Sequence, residues 1–401
     1  MGAPLTPVDE VLDYLISKAD CVVEKEWVEL QYARDRVLAS DVVSAINVPL
    51  MDNSAMDGYA INTNDISVGD ELVVSDRIPA GKTGQDLVSG TVARIFTGAP
   101  VPRGANAVVM QELTEKVGDK VRISEMPGEG VNIRRAGQDI DQGTTILQVG
   151  RRLRAQDLGL IASVGCDRVQ VFRRLKIAVM STGDELIEPP VPLQPGQIYN
   201  SNHPTLIAMI HQLGMEPVDI GLVEDSAEAT EKALKDAAGK ADCIVSTGGV
   251  SVGEEDYVKS TVERLGRLEL WRIAMKPGKP LAFGYIDETP FFGLPGNPVS
   301  SFVTFLIVAR PFFLKLQGCY ELRLPSMTAP AEFAMKPGLR REYCRVRVEY
   351  DGSGKEVVTN FDNQGSGVLS SVSWANGLAE IEMGREINPG DLIKVYLLPD
   401  A

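Results

Sequence analysis

The feature that most limits how this chain can fold is an alternation of short apolar runs and amphipathic segments between residues 176 and 316. KIAVMSTG (176–183) reads as a strand entering a polar turn, and SNHPTLIAMIHQLG (201–214) as a helix with a Ser or Asn cap. EPVDIGLV predicts a second strand, EATEKALKDAAG a helix, ADCIVSTGG a third strand and EEDYVKSTVERLG another helix. Parallel neighbours need a crossover, and a helix supplies it, so this order predicts βαβ units and an open, mostly parallel sheet. LAFGYI and PFFGLP predict a hairpin at one margin of that sheet, followed by a long helix from Pro298 toward Phe313.

The flanking segments follow other periods. Thr6, Pro7 and Glu10 before Val11, Leu12, Tyr14, Leu15 and Ile16 predict a capped helix over 6–18, and a second helix is expected around 30–39. From 46 to 145 short apolar segments such as ELVVSD, TVARIF and NAVVMQE are separated by Gly, Asn and Pro, which predicts a β-rich insert. RAQDLGLIASVG (154–165) restores helical spacing and is expected to pack with the N-terminal helices. The chain's 401 residues are enough for two to four domains. The division expected is a discontinuous helical N-terminal domain (1–45 and 146–175), the β-rich insert (46–145), an α/β domain (176–324) and a C-terminal β domain, barrel-like, over 325–401. YCRVRVEY, KEVVTNF, GLAEIEM and GDLIKVYLL supply the strands of the last. The fold class is therefore multidomain α/β plus β. No repeat of constant period is present; STGDE and STGGVSVGEED instead use one strand-to-loop solution twice.

Several function classes are disfavoured. With 40 Lys and Arg against 55 Asp and Glu, the net charge of −15 opposes wrapping nucleic acid, whose affinity rests on phosphate neutralisation. Five scattered cysteines, Cys21, Cys166, Cys243, Cys319 and Cys344, form no CxxC spacing and point to reduced thiols in a cytoplasmic protein. Asp9, Glu10 and Asp13 stand where a signal peptide would be basic and then apolar, and no 18 consecutive residues stay apolar, so no membrane span is expected. Only His203 and His211 are available, which gives poor support to a zinc site or a Ser-His-Asp triad. GxGxxG and GxxxxGKS are both absent from the sequence.

In an open α/β sheet, ligands collect at the carboxyl ends of strands, where loops and helix starts expose N–H groups. The loops at 181–185, 223–225 and 247–256 are expected at one such edge. They carry Asp184, Glu185, Glu224, Asp225, Ser251, Glu254, Glu255 and Asp256, a set suited to an anionic group bound directly or through magnesium held by one or two carboxylates and substrate phosphates. Solvated acidic caps are the plain alternative for each. MKPGKP puts Lys276 and Lys279 across a constrained turn suited to an oxyanion, against the alternative of a solvent-facing basic turn. LPGNPVS (294–300) ends a strand and begins a helix at the same edge. DNSAMDGYA (52–60) reads first as a surface turn, with the wall of a site as the alternative. From the residues alone, the reading is a cytosolic enzyme for a phosphorylated ligand, using carboxylates, lysines and magnesium.

DNSAMDGYA, IFTGAPVP (95–102), RRAGQDI (134–140), STGDEL, STGGVSVGEEDY, KPGKP and FGLPGNPVSS, taken in order over nearly the whole chain, strongly resemble the molybdopterin molybdenumtransferase family, whose relatives include the E domain of gephyrin. The resemblance implies that adenylylated molybdopterin and molybdate yield molybdenum cofactor and AMP, assisted by a divalent cation, Mg2+. It also implies a homodimer whose site lies between the α/β domain of one subunit and the β-rich domain of its partner, and transient contact with other molybdenum-cofactor biosynthesis proteins. By this likeness Asp57, Thr97 and Asp139 are site residues of the insert. Glu185, Asp225 and Asp256 are acidic positions and cation ligands of the α/β site, Ser251 lies in its loop, and Lys276 and Lys279 form its basic turn. Pro295 and Pro298 shape the pocket wall, while Arg341, Ser366 and Ser370 are implied more weakly in the C-terminal domain. YCRV departs from the family's commoner glycine after the arginine. Tungstate as the oxyanion, adenylyl transfer and a noncatalytic scaffold are the rival expectations.

Overall fold

The computed structural model describes residues 5–249 and 257–398. At its centre is a six-stranded sheet in the spatial order Glu216–Val223, Lys176–Thr182, Cys243–Thr247, Thr289–Leu294, Pro280–Ile286, Gly266–Arg272. The first four strands run parallel and the last two pair antiparallel. The predicted hairpin forms with Asp287 at φ 49° in its turn. It does not lie at the margin, however: Gly266–Arg272, unread in the sequence, takes the edge. Charged Arg267, Glu269 and Arg272 in that segment break up the apolar run that marks the inner strands.

Both faces of the sheet are covered, as the period of two requires. Ile177, Val179, Val245 and Phe292 pack with Leu206, Ile210 and Phe312 on one side. Ala178, Met180, Ile244 and Phe291 pack with Leu234 and Val262 on the other. Each large side chain so buried contributes about 1.5–3 kcal/mol. The helix expected from Pro298 runs to Leu316 but contains a π segment, Phe305–Ala309. Pro311 explains the interruption, since it offers no N–H to the Ile307 carbonyl and its ring crowds that group. By length and composition this helix passes for one that crosses a membrane, although Arg310 and Lys315 interrupt its apolar run. In this fold, 89% of it is buried inside the protein.

The N-terminal helix, Val8–Lys18, sends Val8, Val11 and Leu15 into the α/β core beside Phe312 and Phe313. Ala155–Ser163 packs with Ala33, Leu38, Val169 and Val171, so it meets the 30–39 segment as expected but not the first helix. The expected helix at 30–39 reduces to one 3-10 turn, Leu30–Tyr32. Asp35 adopts φ 63°, and Leu38 is drawn into a bridge with Val171, so long-range pairing overrides the local preference. Lys25–Glu29 pairs with Arg168–Phe172, and Val42–Val43 with Thr145–Leu147. Between them the chain builds a separate six-stranded sheet from residues 58–123.

In the C-terminal region Arg341–Tyr350, Gly377–Ile381, Leu392–Leu397 and Ser326–Pro330 pair in succession, and Glu356–Asn360 lies on the far side of Arg341–Tyr350. A bridge from Ala331 to Val358 brings the two ends together around a core containing Val346, Val358, Ala379 and Val395. Met275–Lys276 joins this sheet by pairing with Arg341 and Glu342.

Candidate active site

The site motifs assemble into two clusters. In the insert, Asn53–Ser54 pairs with Ile133–Arg134, and Asn53 bridges Pro100, which brings DNSAMDGYA, RRAGQDI and IFTGAPVP together. Asp52 secures the second of these: it accepts from Arg135 Nη1 at 2.6 Å and from the Ala136 N–H at 2.9 Å. Asp57 secures the third, accepting from the Thr97 N–H and Thr97 Oγ1, each at 2.8 Å. Both bonds go to Oδ1. They are the main reason the Asp57 carboxyl is held below its ordinary value, with the Arg94 charge adding to them. Thr97 is exposed, and so is Asp139, whose N–H donates to the Val48 carbonyl. Arg94 is fixed beside this cluster by bonds to the Gly58 carbonyl at 3.0 Å and Gln111 Oε1 at 2.6 Å.

The second cluster lies at the carboxyl edge of the α/β sheet. Register aligns the ends of four strands: Thr182 with Val223, Ser181 with Thr247, and Thr247 with Leu294. Glu185, Glu224, Asp225, Gly248 and Pro295 therefore follow strand ends on one edge. Ser181 Oγ and Thr247 Oγ1 lie 3.0 Å apart, while Thr182 Oγ1 and Ser246 Oγ are buried without a hydrogen-bond partner among the described residues. Glu185 is exposed, with its carboxylate beside Gly183. Ser226 caps the helix Ala227–Lys240 behind Glu224 and Asp225. Pro295 is buried, and Pro298 opens the next helix. Asn202 Nδ2 donates to the Gly296 carbonyl at 2.8 Å, tying the SNHP helix to this turn. Ser251 and Asp256 lie outside the described residues.

Lys276 and Lys279 flank a turn in which Gly278 adopts φ 108°, and a Cβ there would meet Thr304 Oγ1 at 2.3 Å. Lys276 Nζ lies 3.0 Å from the mostly buried Glu342 carboxylate. The Lys279 ammonium has no ion-pair partner among the described residues. Ser366 touches the same region through its carbonyl, which accepts from the Val299 N–H at 3.0 Å. Arg341 instead grips Asp9 through two bonds of 2.9 and 2.8 Å and reaches Glu382 at 3.1 Å, joining the N-terminal helix to the C-terminal sheet. Ser370 is exposed on the short helix Leu369–Trp374. A cavity of about 620 Å³ lies away from both clusters, between Met209, Phe302 and Leu306 on one side and Val372, Trp374 and Leu398 on the other.

Asp52 and Glu342 were not singled out in the sequence. The signal for Asp52 was present, since a carboxylate five residues before Asp57 faces the double arginine of RRAGQDI. Glu342 gave none, because its partner is 66 residues away. No strand pairing joins the two clusters among the described residues.

The α/β sheet with its aligned strand ends, the separate sheet of residues 58–123 and the C-terminal sheet define a multidomain protein of mixed sheets. Residues 178–315 match the family described as probable molybdopterin binding domain. Residues 6–165 match the MoeA N-terminal region (domain I and II), and 328–398 the MoeA C-terminal region (domain IV). The chain is 38% identical over 393 residues to a molybdopterin molybdenumtransferase of Haemophilus influenzae, covering 97% of each. It is 30% identical to gephyrin of Dictyostelium discoideum, covering 98% of this chain and 62% of that one. The crystal structure of the molybdopterin biosynthesis moeA protein from Pyrococcus horikoshii OT3 superposes with a TM-score of 0.85 at 29% identity, covering 98% of this chain and 100% of that one. The chain belongs to the molybdopterin molybdenumtransferase family.

Proposed function

We propose that this transferase inserts molybdate into adenylylated molybdopterin with release of AMP, in a site completed by two copies of the chain. The observation that carries the reading is the division of the site motifs into two hydrogen-bonded clusters on separate sheets. Each cluster supplies what the other lacks. The strand ends offer hydroxyls, helix-start N–H groups and the lysine turn, all suited to phosphate and oxyanion. The insert offers Asp57, kept ionised by Thr97, and the exposed Asp139.

Lys276 and Lys279 bind the oxyanion or substrate phosphate, Lys276 being steadied by Glu342. Pro295 and Pro298 shape the wall, and Ser366 fixes the helix start behind it. Magnesium fits the donor set, because Glu185, Asp225 and the unpartnered Thr182 hydroxyl are all hard oxygen donors. The described residues contain no group of three metal-ligating side chains. A cation there would be held by one or two carboxylates and by substrate phosphates, whose charge it would neutralise.

The test is AMP release by purified protein with magnesium and adenylylated molybdopterin, with and without molybdate. Asp57→Ala and Lys276→Ala are expected to lose most activity while remaining folded, and mixing the two variants should restore part of it through heterodimers. Wild-type turnover by both variants would refute the residue assignment. Demonstrated subunit exchange without recovery would refute the shared site.

A further inference from the structure

Beside Asp57 the insert carries a run of alternating rings and guanidiniums that the reaction above leaves unassigned. Tyr59, Arg94 and Arg77 stand abreast on three adjacent strands, since Tyr59 is in register with Arg94, and Arg94 with Arg77. Phe96, two residues after Arg94, falls on the same face. The Arg94 guanidinium lies 5.1 Å from the Tyr59 ring centre and 4.7 Å from that of Phe96, and the Arg77 guanidinium is also 4.7 Å from Phe96. Phe96 thus meets two cations.

Among the described residues neither guanidinium has a carboxylate within ion-pair distance. That is unexpected in a chain of net charge −15, where acidic side chains outnumber basic ones. Stacking uses the face of a guanidinium and leaves N–H groups at its edge for an oxyanion; Arg94 already spends one N–H of each Nη on Gly58 and Gln111, whereas Arg77 spends none among the described residues. Rings on the same face hold the cations in place, so less side-chain freedom is lost when a ligand binds. Arg94 is close enough to Asp57 to help keep its carboxyl ionised, which makes the run continuous with the insert's half of the site.

We infer that Arg77 and Arg94, both meeting Phe96, form an oxyanion subsite on the insert that takes either molybdate or a phosphate group of the nucleotide-linked substrate. This inference rests on the proposed function for its choice of ligand. Arg77 is the residue to perturb, because its side chain is exposed and holds no hydrogen bond among the described residues.

Arg77→Gln is expected to raise the KM for one of the two anions roughly fivefold, the size of one lost, partly exposed charge contact, with kcat within about twofold. Arg77→Lys, which keeps the charge, should recover most of the loss, and the difference from wild type should shrink at high ionic strength. The anion whose KM moves identifies the source of the bound group. Calorimetric titration with inorganic pyrophosphate and with molybdate alone reads the subsite without turnover, and one of the two should bind Arg77→Gln roughly fivefold more weakly. Unchanged KM for both anions together with unchanged binding overturns the subsite and leaves the transferase reading intact. Absence of AMP release by wild type overturns the transferase reading instead. The titrations then decide the subsite alone, weaker binding supporting it and equal binding overturning it.

Discussion

Gly58 follows Asp57 directly, and the strand it opens leaves no room for a side chain. A Cβ there would sit 1.8 Å from the Val109 carbonyl oxygen and 3.1 Å from Met110 Cα. A carbon–oxygen contact relaxes only near about 3.3 Å, so Gly58→Ala must push Gly58–Ile61 roughly 1.5 Å from Ala107–Met110. That movement strains the pairing of Gly58 with Met110 and of Tyr59 with Val109, and the 3.0 Å bond from the Gln111 N–H to the Asp57 carbonyl. Overpacking costs about 1–3 kcal/mol and each weakened hydrogen bond about 1 kcal/mol, so a loss of about 3 kcal/mol is expected in the insert. For a unit of roughly one hundred residues this lowers its calorimetric transition by about 12–24 °C. Hydrogen exchange should place the change at the Tyr59 and Val109 amides, accelerated by roughly 150-fold if exchange follows unfolding of the insert. AMP release should fall as well, although no ionisable group has been removed, because Asp57 moves with the strand. Gly159→Ala is the control: it lies inside a helix with nothing within 4 Å of an added Cβ. It should stabilise the protein by about 0.5–1 kcal/mol. An insert transition within about 2 °C of wild type for Gly58→Ala, with unchanged exchange at Tyr59 and Val109, would refute the strand pairing proposed beside Asp57.

Lys276→Met and Lys279→Met should separate stability from binding. The first leaves the mostly buried Glu342 carboxylate without its cation and should cost about 1–3 kcal/mol by urea denaturation in addition to lost activity, whereas the second should lose AMP release with stability within about 0.5 kcal/mol of wild type. Burial alone would raise the Asp157 carboxyl, but bonds from the Arg154 side chain and N–H, with the Arg151 charge, hold it below its ordinary value. Its contribution is therefore complete above the unfolded carboxyl pKa of about 3.9 and is lost as pH falls through the lower folded value. Urea midpoints across that range should fall less steeply for Asp157→Asn than for wild type, and equal slopes would contradict the assignment. Asp57→Asn keeps the shape but not the charge, and AMP release should fall about as far as in Asp57→Ala. Near-wild-type rates would assign Asp57 to geometry alone.

The α/β sheet was legible because its strands are buried on both faces. KIAVMST, CIVST and TPFFGL carry runs of apolar residues that a half-exposed strand does not, and polar turns mark their ends. The edge strand Gly266–Arg272 was not legible, since its charged residues resemble the end of the preceding helix. Helix was expected at 30–39 because the local spacing allows it, but Leu38 is committed to Val171, a partner no local window contains. The site divides in the same way. Carboxyl-edge loops follow from strand order, so Glu185, Asp225 and Pro295 could be placed from topology. The fixing of Lys276 by Glu342, and of the arginine run by Tyr59 and Phe96, depends on contacts between strands and could not.

The electrostatics of the insert limit what Asp57 can contribute. With both Thr97 bonds on Oδ1 and Arg94 nearby, its carboxyl is held below the ordinary carboxylate range and is ionised near neutral pH. A group in that state is a poor proton donor and a weak base, which leaves it as a hydrogen-bond acceptor or a cation ligand through Oδ2. An ionised carboxylate also repels the oxyanions that the reaction handles, so its place in the site requires compensating positive charge. In the proposed site Lys276 and Lys279 supply it from the α/β edge, and Arg94 and Arg77 on the insert itself. Lys276 already faces Glu342, which leaves Lys279, Arg77 and Arg94 as cations without an ion-pair partner among the described residues, and the proposed site draws on these.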